Sequence, residues 1–415
     1  MRLDWRFLVV LFVFNLVVLS PALLRSWPAD TDPYFLAAHI RAGTVPSGYP
    51  FGFFFLMGLV PWSDWLMRVY PVIMAFCAAL CVGFIADLLV GKHAIGKSEP
   101  ITPPSGGIKE RFDVFFSRCL WEEPGWIAAF LVYGFPVFGF RFGIFEEDLL
   151  GMVVCLAGLY FALKYFRDGH TDELVLSSML FLIGLMVWRG SILFLLCAGL
   201  LGVLRKDRHL LLGFVALSLL GVWLFGFGLS SLPVPGFTVG DNMPGIYMLL
   251  PTLCVGLLGL WMLKEAALEL RLWTVFFLLP GLYLAKFLTF SVFPLAVLMV
   301  LFFRAASPKR RLFLLEVLMI SGSLVAMSSL WNAVPDQHLM DSMQSVASIT
   351  GGEPIANEWR FGHWLSWFGA NPQFSPLSNW DDINNSNASW VLGNCTKYGS
   401  LRFVENYSSF CLMAR

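Results

Sequence analysis

Three carboxylates in two widely separated stretches hold the most promising chemistry in this sequence. Glu146 and Asp148 alternate within Arg141-Phe142-Gly143-Ile144-Phe145-Glu146-Glu147-Asp148, and Asp32 stands in Asp30-Thr31-Asp32-Pro33-Tyr34. In an extended turn, residues two apart project to the same side, so Glu146 and Asp148 present their oxygens together. With Asp32 they make a set of hard oxygen ligands suited to Mg2+ or Mn2+. Such an ion neutralises charge developing on a phosphate leaving group, where Lys286 or Arg141 would assist. Asp241, in Thr238-Val239-Gly240-Asp241-Asn242, is a further acid in the same kind of setting. Each acid also has a plainer reading. Interfacial acids snorkel to water, and Asp148, opening the apolar run Leu149 to Phe166, suits a helix N-terminus.

What must position these groups is a bilayer. Hydrophobic residues make up 58% of the chain and charged residues 13%, about half the charge a soluble domain carries. Apolar runs long enough to cross, or nearly so, fall at roughly 7–24, 66–90, 125–140, 149–166, 174–188, 190–204, 210–229, 246–263, 271–285, 287–303 and 312–331. These predict an all-α membrane protein of about eleven transmembrane helices. The first run also has the look of a signal peptide, but it is long for one and lacks a small-x-small exit, which favours a retained span. Phe51 to Pro61 is too short to cross and reads as a re-entrant or interfacial helix.

Lysine and arginine give the orientation. With Met1–Arg6 inside, alternate loops collect Lys92, Lys97, Lys109, Arg111 and Arg118, then Lys164 and Arg167, then Arg205, Lys206 and Arg208. Lys264 and Arg271, then Arg304, Lys309, Arg310 and Arg311, complete that side. The opposite loops hold isolated cations: Arg25, Arg41, Arg68, Arg141, Arg189 and Lys286. The N-terminus is thus expected in the cytoplasm and the C-terminus on the extracytoplasmic or lumenal side. Asp32, Glu146, Asp148, Asp241 and Lys286 all fall in outer loops. A transporter would instead place charges at mid-membrane. Net charge is zero, which gives no reason to expect a nucleic-acid partner.

The segment 332–415 differs from the 1–331 membrane region: it is a polar tail rich in Asn, Ser and aromatics. Asn-x-Ser/Thr triplets begin at Asn384, Asn387, Asn394 and Asn406, a density that predicts a glycosylated outer surface. Cys395 and Cys411 are placed to form a disulfide there. The other cysteines lie in or beside apolar runs and show no metal-ligand spacing.

These landmarks resemble, in order, those of the catalytic subunit of oligosaccharyltransferases, membrane glycosyltransferases of the GT-C class. Asp32-Pro33-Tyr34 is similar to the family's Asp-Pro-Tyr/Trp segment in the first outer loop. Glu146-Glu147-Asp148 is similar to its acidic-x-acidic metal pair. Trp188-Arg189-Gly190-Ser191 resembles a Trp-Gly-Gly turn, Thr238-Val239-Gly240-Asp241 a Thr-Ile-x-Glu motif, and Lys286-Phe287 with Pro294 an Arg-Phe segment facing the lipid pyrophosphate. The resemblance implies a GT-C-like helix bundle and a polyprenyl- or dolichyl-linked glycan donor. It further implies a polypeptide asparagine acceptor and inverting transfer at the outer membrane face. Asp32 and Asp241 would be catalytic, Asp32, Glu146 and Asp148 metal-binding, and Arg141 and Lys286 donor-phosphate residues.

The departures are specific. The family's Trp-Trp-Asp-Tyr-Gly acceptor signature is matched only by Glu358-Trp359-Arg360-Phe361-Gly362, so Trp359 and Arg360 would take its place. Arg360 reverses a charge and removes the acceptor for a Ser/Thr hydroxyl. Asp241 is a methylene short of Glu, and Lys286 replaces a bidentate Arg by a point charge. The large soluble domain after the signature is missing, which suggests a partner subunit. Two further readings follow: transfer of one sugar from a lipid phosphate to an acceptor other than asparagine, or a non-catalytic lipid-binding subunit.

Overall fold

The computed structural model describes residues 4–25, 27–28, 32–45, 49, 51–60, 65–90, 123–188, 190–207, 213–214, 216–217, 220, 246–283, 288–305, 308–357, 359–374, 388–393, 402–407 and 410–414. The chain is mostly helical. In order the helices are α1 (Trp5–Val18), α2 (Ser20–Leu24), α3 (Asp32–Ala42), α4 (Phe51–Gly58), α5 (Leu66–Val90), α6 (Pro124–Leu131), α7 (Pro136–Arg141) and α8 (Glu147–Asp168). There follow α9 (Thr171–Val187), α10 (Ser191–Arg205), α11 (Ile246–Leu260), α12 (Leu268–Tyr283), α13 (Leu288–Ala305), α14 (Pro308–Ala333), α15 (Gln337–Thr350) and α16 (Trp359–Trp367).

Among the described residues, three helices are long and apolar enough to cross a membrane, namely α5, α8 and the helical run from Phe313. Shorter apolar helices lie at Trp5–Val18, Pro124–Gly134, Ser191–Arg205 and Leu288–Arg304. The described helices follow the apolar runs closely, and the break between α9 and α10 falls at the Trp188-Arg189-Gly190 hairpin. The expected 210–229 span lies largely outside the described residues. Two expected spans are not single helices: 7–24 divides at Leu19 into α1 and α2, and 125–140 divides into α6, a 3-10 turn at Val132–Gly134, and α7. Pro136 is the cause of the second break, since it holds Phe135 extended (φ −98°, ψ 109°) and cannot donate to the preceding turn.

Close backbone approach replaces the hydrophobic effect where helices meet in lipid. A Cβ at Gly322 on α14 would sit 2.4 Å from the Gly134 carbonyl oxygen, and one at Gly52 on α4 would sit 2.5 Å from that of Met186 on α9. One buried polar network is paired across helices. Asn15 Nδ2 donates to the Val72 carbonyl at 2.9 Å, and Tyr133 Oη donates to Asn15 Oδ1 at 2.8 Å. This ties α1 to α5 and the 3-10 turn at no cost in unsatisfied groups.

The tail departs from the all-helical expectation. It forms a five-stranded sheet from β1 (Pro354–Asn357), β2 (Asn371–Phe374), β3 (Trp390–Gly393), β4 (Arg402–Tyr407) and β5 (Phe410–Ala414), in the order β2-β1-β3-β5-β4. β1 pairs in parallel with β2 and β3, while β5 pairs antiparallel with β3 and β4. Helix α15 packs on this unit. Asp336 caps it by accepting from Leu339 N at 2.6 Å, and Gly351 ends it in the left-handed region at φ 58°. Met340, Met343, Val346 and Thr350 form its buried stripe. The first three join a second hydrophobic core with Phe361, Leu365 and Tyr34, separate from the core of the bundle.

Candidate functional site

The N-terminus of α8 gathers three buried charges. Arg141 ends α7, and the intervening Phe142–Phe145 segment returns the chain to Glu146, the N-cap of α8, with Asp148 in its first turn. The arginine, Glu146 and Asp148 are only 3–4% exposed. Arg141 Nη1 donates to Glu146 Oε1 at 2.6 Å, and Nη2 donates to both Glu146 Oε2 and, at 2.5 Å, Asp148 Oδ2. Two carboxylates thus share one guanidinium, in the bidentate geometry that Arg favours. The remaining negative charge sits where unpaired helix N–H groups favour it. Asp148 Oδ1 is buried and has no hydrogen-bond partner among the described residues.

Tyr70 holds this turn in place. Its Oη donates to the Glu146 carbonyl at 3.2 Å and accepts from Leu150 N at 3.1 Å. The N-cap Glu146 side chain makes no capping bond of its own, so a residue of α5 caps α8 across the helix interface. Its ring packs on Phe145 at 5.0 Å, and Phe53 of α4 closes the group at 5.9 Å from Phe145. The short helix read as re-entrant or interfacial therefore roofs the acidic turn. Tyr70→Phe leaves the Glu146 carbonyl and Leu150 N without this partner, and is expected to cost about 1–3 kcal/mol. Thermal unfolding in detergent measures it; an unchanged midpoint would show that the cap is idle.

One further landmark of the sequence, Trp188, meets the same end of α8. The Trp188 side chain packs against Gly151, where a Cβ would come within 2.4 Å, so it lies on the first turns of α8. Trp188 also meets Phe290 of α13, at 5.3 Å between centroids. Arg189, Asp241 and Lys286 lie outside the described residues, as do the side chains of Asp32, Trp359 and Arg360.

The Asp32-Pro33-Tyr34 segment instead reaches the tail. Asp32 opens α3, and two residues on Tyr34 packs edge-on against Trp364 and Trp367 of α16, at 6.5 and 5.7 Å. Arg41 stacks over Trp367 at 3.7 Å. Trp27 meets Phe368 at 6.1 Å and donates from Nε1 to Gln337 Oε1 at 3.0 Å. The degenerate signature is thus carried on a helix docked to the Asp-Pro-Tyr segment. The buried Trp364 Nε1 has no hydrogen-bond partner among the described residues.

Sequence reasoning brought out the acid pair and Arg141 but not their mutual contact, and it missed Tyr70, Phe53 and Phe145. The available signal was Tyr70-Pro71, a polar aromatic beside a proline near the start of an apolar run.

With this geometry in view, the solved structures become informative. ArnT from Cupriavidus metallidurans, bound to undecaprenyl phosphate, aligns over 100% of this chain and 98% of its own, with a TM-score of 0.60 and 11% identity. The chain shares the ArnT-like GT-C fold. Apo ArnT from the same organism aligns over 98% of this chain and 97% of its own, with a TM-score of 0.54 and 11% identity. No family model and no curated protein matches the sequence. The ArnT likeness runs end to end, tail included, so the fold that the helix pattern suggested extends through the sheet that it did not. Together with the apolar helices it makes the chain an integral membrane protein.

Of the ligand set expected for Mg2+ or Mn2+, Glu146 and Asp148 lie among the described residues and the Asp32 side chain lies outside them. Among the described residues, no three His, Cys, Asp or Glu side chains form a metal-holding group. Both Glu146 oxygens are engaged by Arg141, while Asp148 Oδ1 is open. In the tail, Asn406 is exposed on β4 and Cys411 is disulfide-bonded. Asn384, Asn387, Asn394 and Cys395 lie outside the described residues.

Proposed function

We propose that this chain is a membrane glycosyltransferase that takes its sugar from a polyprenyl phosphate carrier and passes it to an acceptor other than asparagine. The observation that carries this reading is the full-length fold shared with ArnT, of which one structure holds undecaprenyl phosphate. The buried Arg141–Glu146–Asp148 cluster at one end of the bundle supplies the polar chemistry beside it.

In this mechanism Asp148 is the working carboxylate. Arg141 holds one of its oxygens, fixing the side chain, and leaves Oδ1 free to accept a hydrogen bond from the attacking hydroxyl. Tyr70 and the α8 N-terminus keep that oxygen in register, and the Phe53–Phe145 roof excludes water. The hydroxyl oxygen bonds to the anomeric carbon as that carbon's bond to the carrier phosphate breaks, with inversion. The hydroxyl proton passes to Asp148 Oδ1, and the carrier leaves as polyprenyl phosphate. Lys286 is the proposed cation for that phosphate, because the Arg141 fork already serves two acids. Metal dependence is part of the proposal in reduced form: Asp148 with Asp32 would hold Mg2+ or Mn2+, which would supply Lewis-acid stabilisation of the leaving phosphate. Asp241 would approach from its loop to orient the acceptor. The outer face, with the N-terminus cytoplasmic and about eleven spans, follows from the lysine and arginine distribution.

One observation favours transfer to asparagine as a second reading: Tyr34 of the Asp-Pro-Tyr segment packs directly on α16, which carries Trp359 and Arg360. A peptide site would then lie along that seam. One experiment separates the two. Purified chain receives a radiolabelled polyprenyl-phosphate sugar, with and without EDTA, and either a tagged Asn-x-Thr peptide or a membrane glycolipid extract. Label in the glycolipid fraction alone is expected; label in the peptide would replace the first reading by the second. Label in neither, with folded protein, would leave the non-catalytic subunit.

A further inference from the structure

The opposite end of α8 carries a second polar feature that the proposed reaction does not use. Helix α8 has 22 residues, so its ends lie about 33 Å apart, close to the hydrocarbon thickness of a bilayer. At the Asp168 end, a cavity of about 190 Å3 opens among the C-terminal turns of α5, α8 and α10 and the start of α12. One wall is apolar, formed by Leu89, Leu163 and Phe166; the other is Arg167, Arg205 and Glu269.

The two arginines are oriented but not used up. Arg167 gives Nε and Nη2 to Asp168 at 2.7 and 2.9 Å, and Arg205 gives Nη2 to the buried Glu269. A guanidinium has five N–H donors, and the Nη1 groups of both arginines make no hydrogen bond among the described residues. Their side chains are 55% and 52% exposed. They therefore meet solvent or lipid headgroups while held at the rim by their acids. Forked donors in this arrangement match the oxygens of a phosphate diester. The adjacent leucine and phenylalanine wall matches the first methylenes of an acyl chain. The volume falls below the 300–1,000 Å3 of a pocket that encloses a whole ligand, which suits a headgroup whose chains run down the lipid-facing helices.

We propose that this cleft binds the phosphate headgroup of a glycerophospholipid, with Arg167 and Arg205 on the phosphate and the Leu89–Phe166 wall along the chains. The site belongs to the leaflet opposite the Arg141–Glu146–Asp148 cluster. It is independent of the proposed sugar donor and stands whether or not transfer occurs. Basic pockets between membrane helices commonly serve lipids in this way, and here the lipid would join four helices.

The test is lipid retention by the full chain in detergent, read by native mass spectrometry. The probes are phosphatidylglycerol, diacylglycerol and inorganic phosphate. Wild type is expected to retain phosphatidylglycerol and not diacylglycerol, with Arg167→Gln/Arg205→Gln lowering retention at least fivefold. Arg402→Gln, on β4, is expected to change nothing. Since Arg205→Gln alone strands Glu269, Arg205→Gln/Glu269→Gln keeps a neutral pair there and is expected to show the same direction of loss. Equal retention by wild type and both double variants would overturn the site. So would equal uptake of diacylglycerol, and competition by equimolar inorganic phosphate would assign the arginines to a free anion instead.

Discussion

Arg141→Leu is expected to destabilise the folded chain by about 3–5 kcal/mol, the scale seen when one partner of a buried ion pair is removed. The leucine leaves Glu146 and Asp148 buried beside each other without the guanidinium that now bonds both. The loss should read as a large fall in the thermal midpoint in detergent and a poor yield of monodisperse protein. Arg141→Lys should recover only part of it, because an ammonium cannot bond both Glu146 oxygens as a fork does. Adding Glu146→Gln to Arg141→Leu should recover more, since it removes one stranded charge. A wild-type midpoint for Arg141→Leu would mean that the cluster contributes nothing to the fold.

The second large effect is on rate. Asp148→Asn keeps the size of the side chain and its contact with Arg141, but removes the charge and basicity of the oxygen left open. Sugar transfer at saturating donor is expected to fall by about 100-fold or more, the usual contribution of a positioned acid or base. The thermal midpoint should move far less than with Arg141→Leu. Asp172→Asn is the control: Asp172 is exposed in the first turn of α9, at the other end of the bundle, and its rate should match wild type. An Asp148→Asn rate within a factor of three of wild type would remove Asp148 from the reaction.

The helices that position these residues were largely legible because apolar length is a strong signal. Leu66–Val90 coincides with the run read from hydropathy, and Glu147–Asp168 exceeds its run by two residues at each end. Those extra residues are charged, which takes them out of a hydropathy run, while Glu147 and Asp148 suit the helix N-terminus and Arg167 the C-terminus. At Pro136 the reading failed, because apolar content does not report a missing N–H, although Pro71, Pro251 and Pro294 lie inside unbroken helices. The run 7–24 likewise breaks at Leu19, with Pro21 in the first turn of α2.

The tail was opaque for a different reason. Four of its strands are only four or five residues long, too short for alternation to stand out from an Asn- and Ser-rich background. β1 and β2 are parallel neighbours joined through α16, a pairing that no local pattern announces. The site divides along the same line. Glu146 and Asp148 were visible as a spaced pair, whereas Tyr70 reaches them across 76 residues of sequence and belongs to an otherwise ordinary apolar helix. Arg141 was visible as a cation at the right end, and only the fold shows that acids, rather than open space, receive it.

The most direct test of the account is release of polyprenyl phosphate. Purified chain in lipid nanodiscs is incubated with a polyprenyl-phosphate sugar and a membrane glycolipid acceptor, and the free carrier is measured by organic extraction and mass spectrometry. The account predicts acceptor-dependent release by wild type and almost none by Asp148→Asn. Release that is absent from both, with wild type folded and loaded with donor, would contradict it.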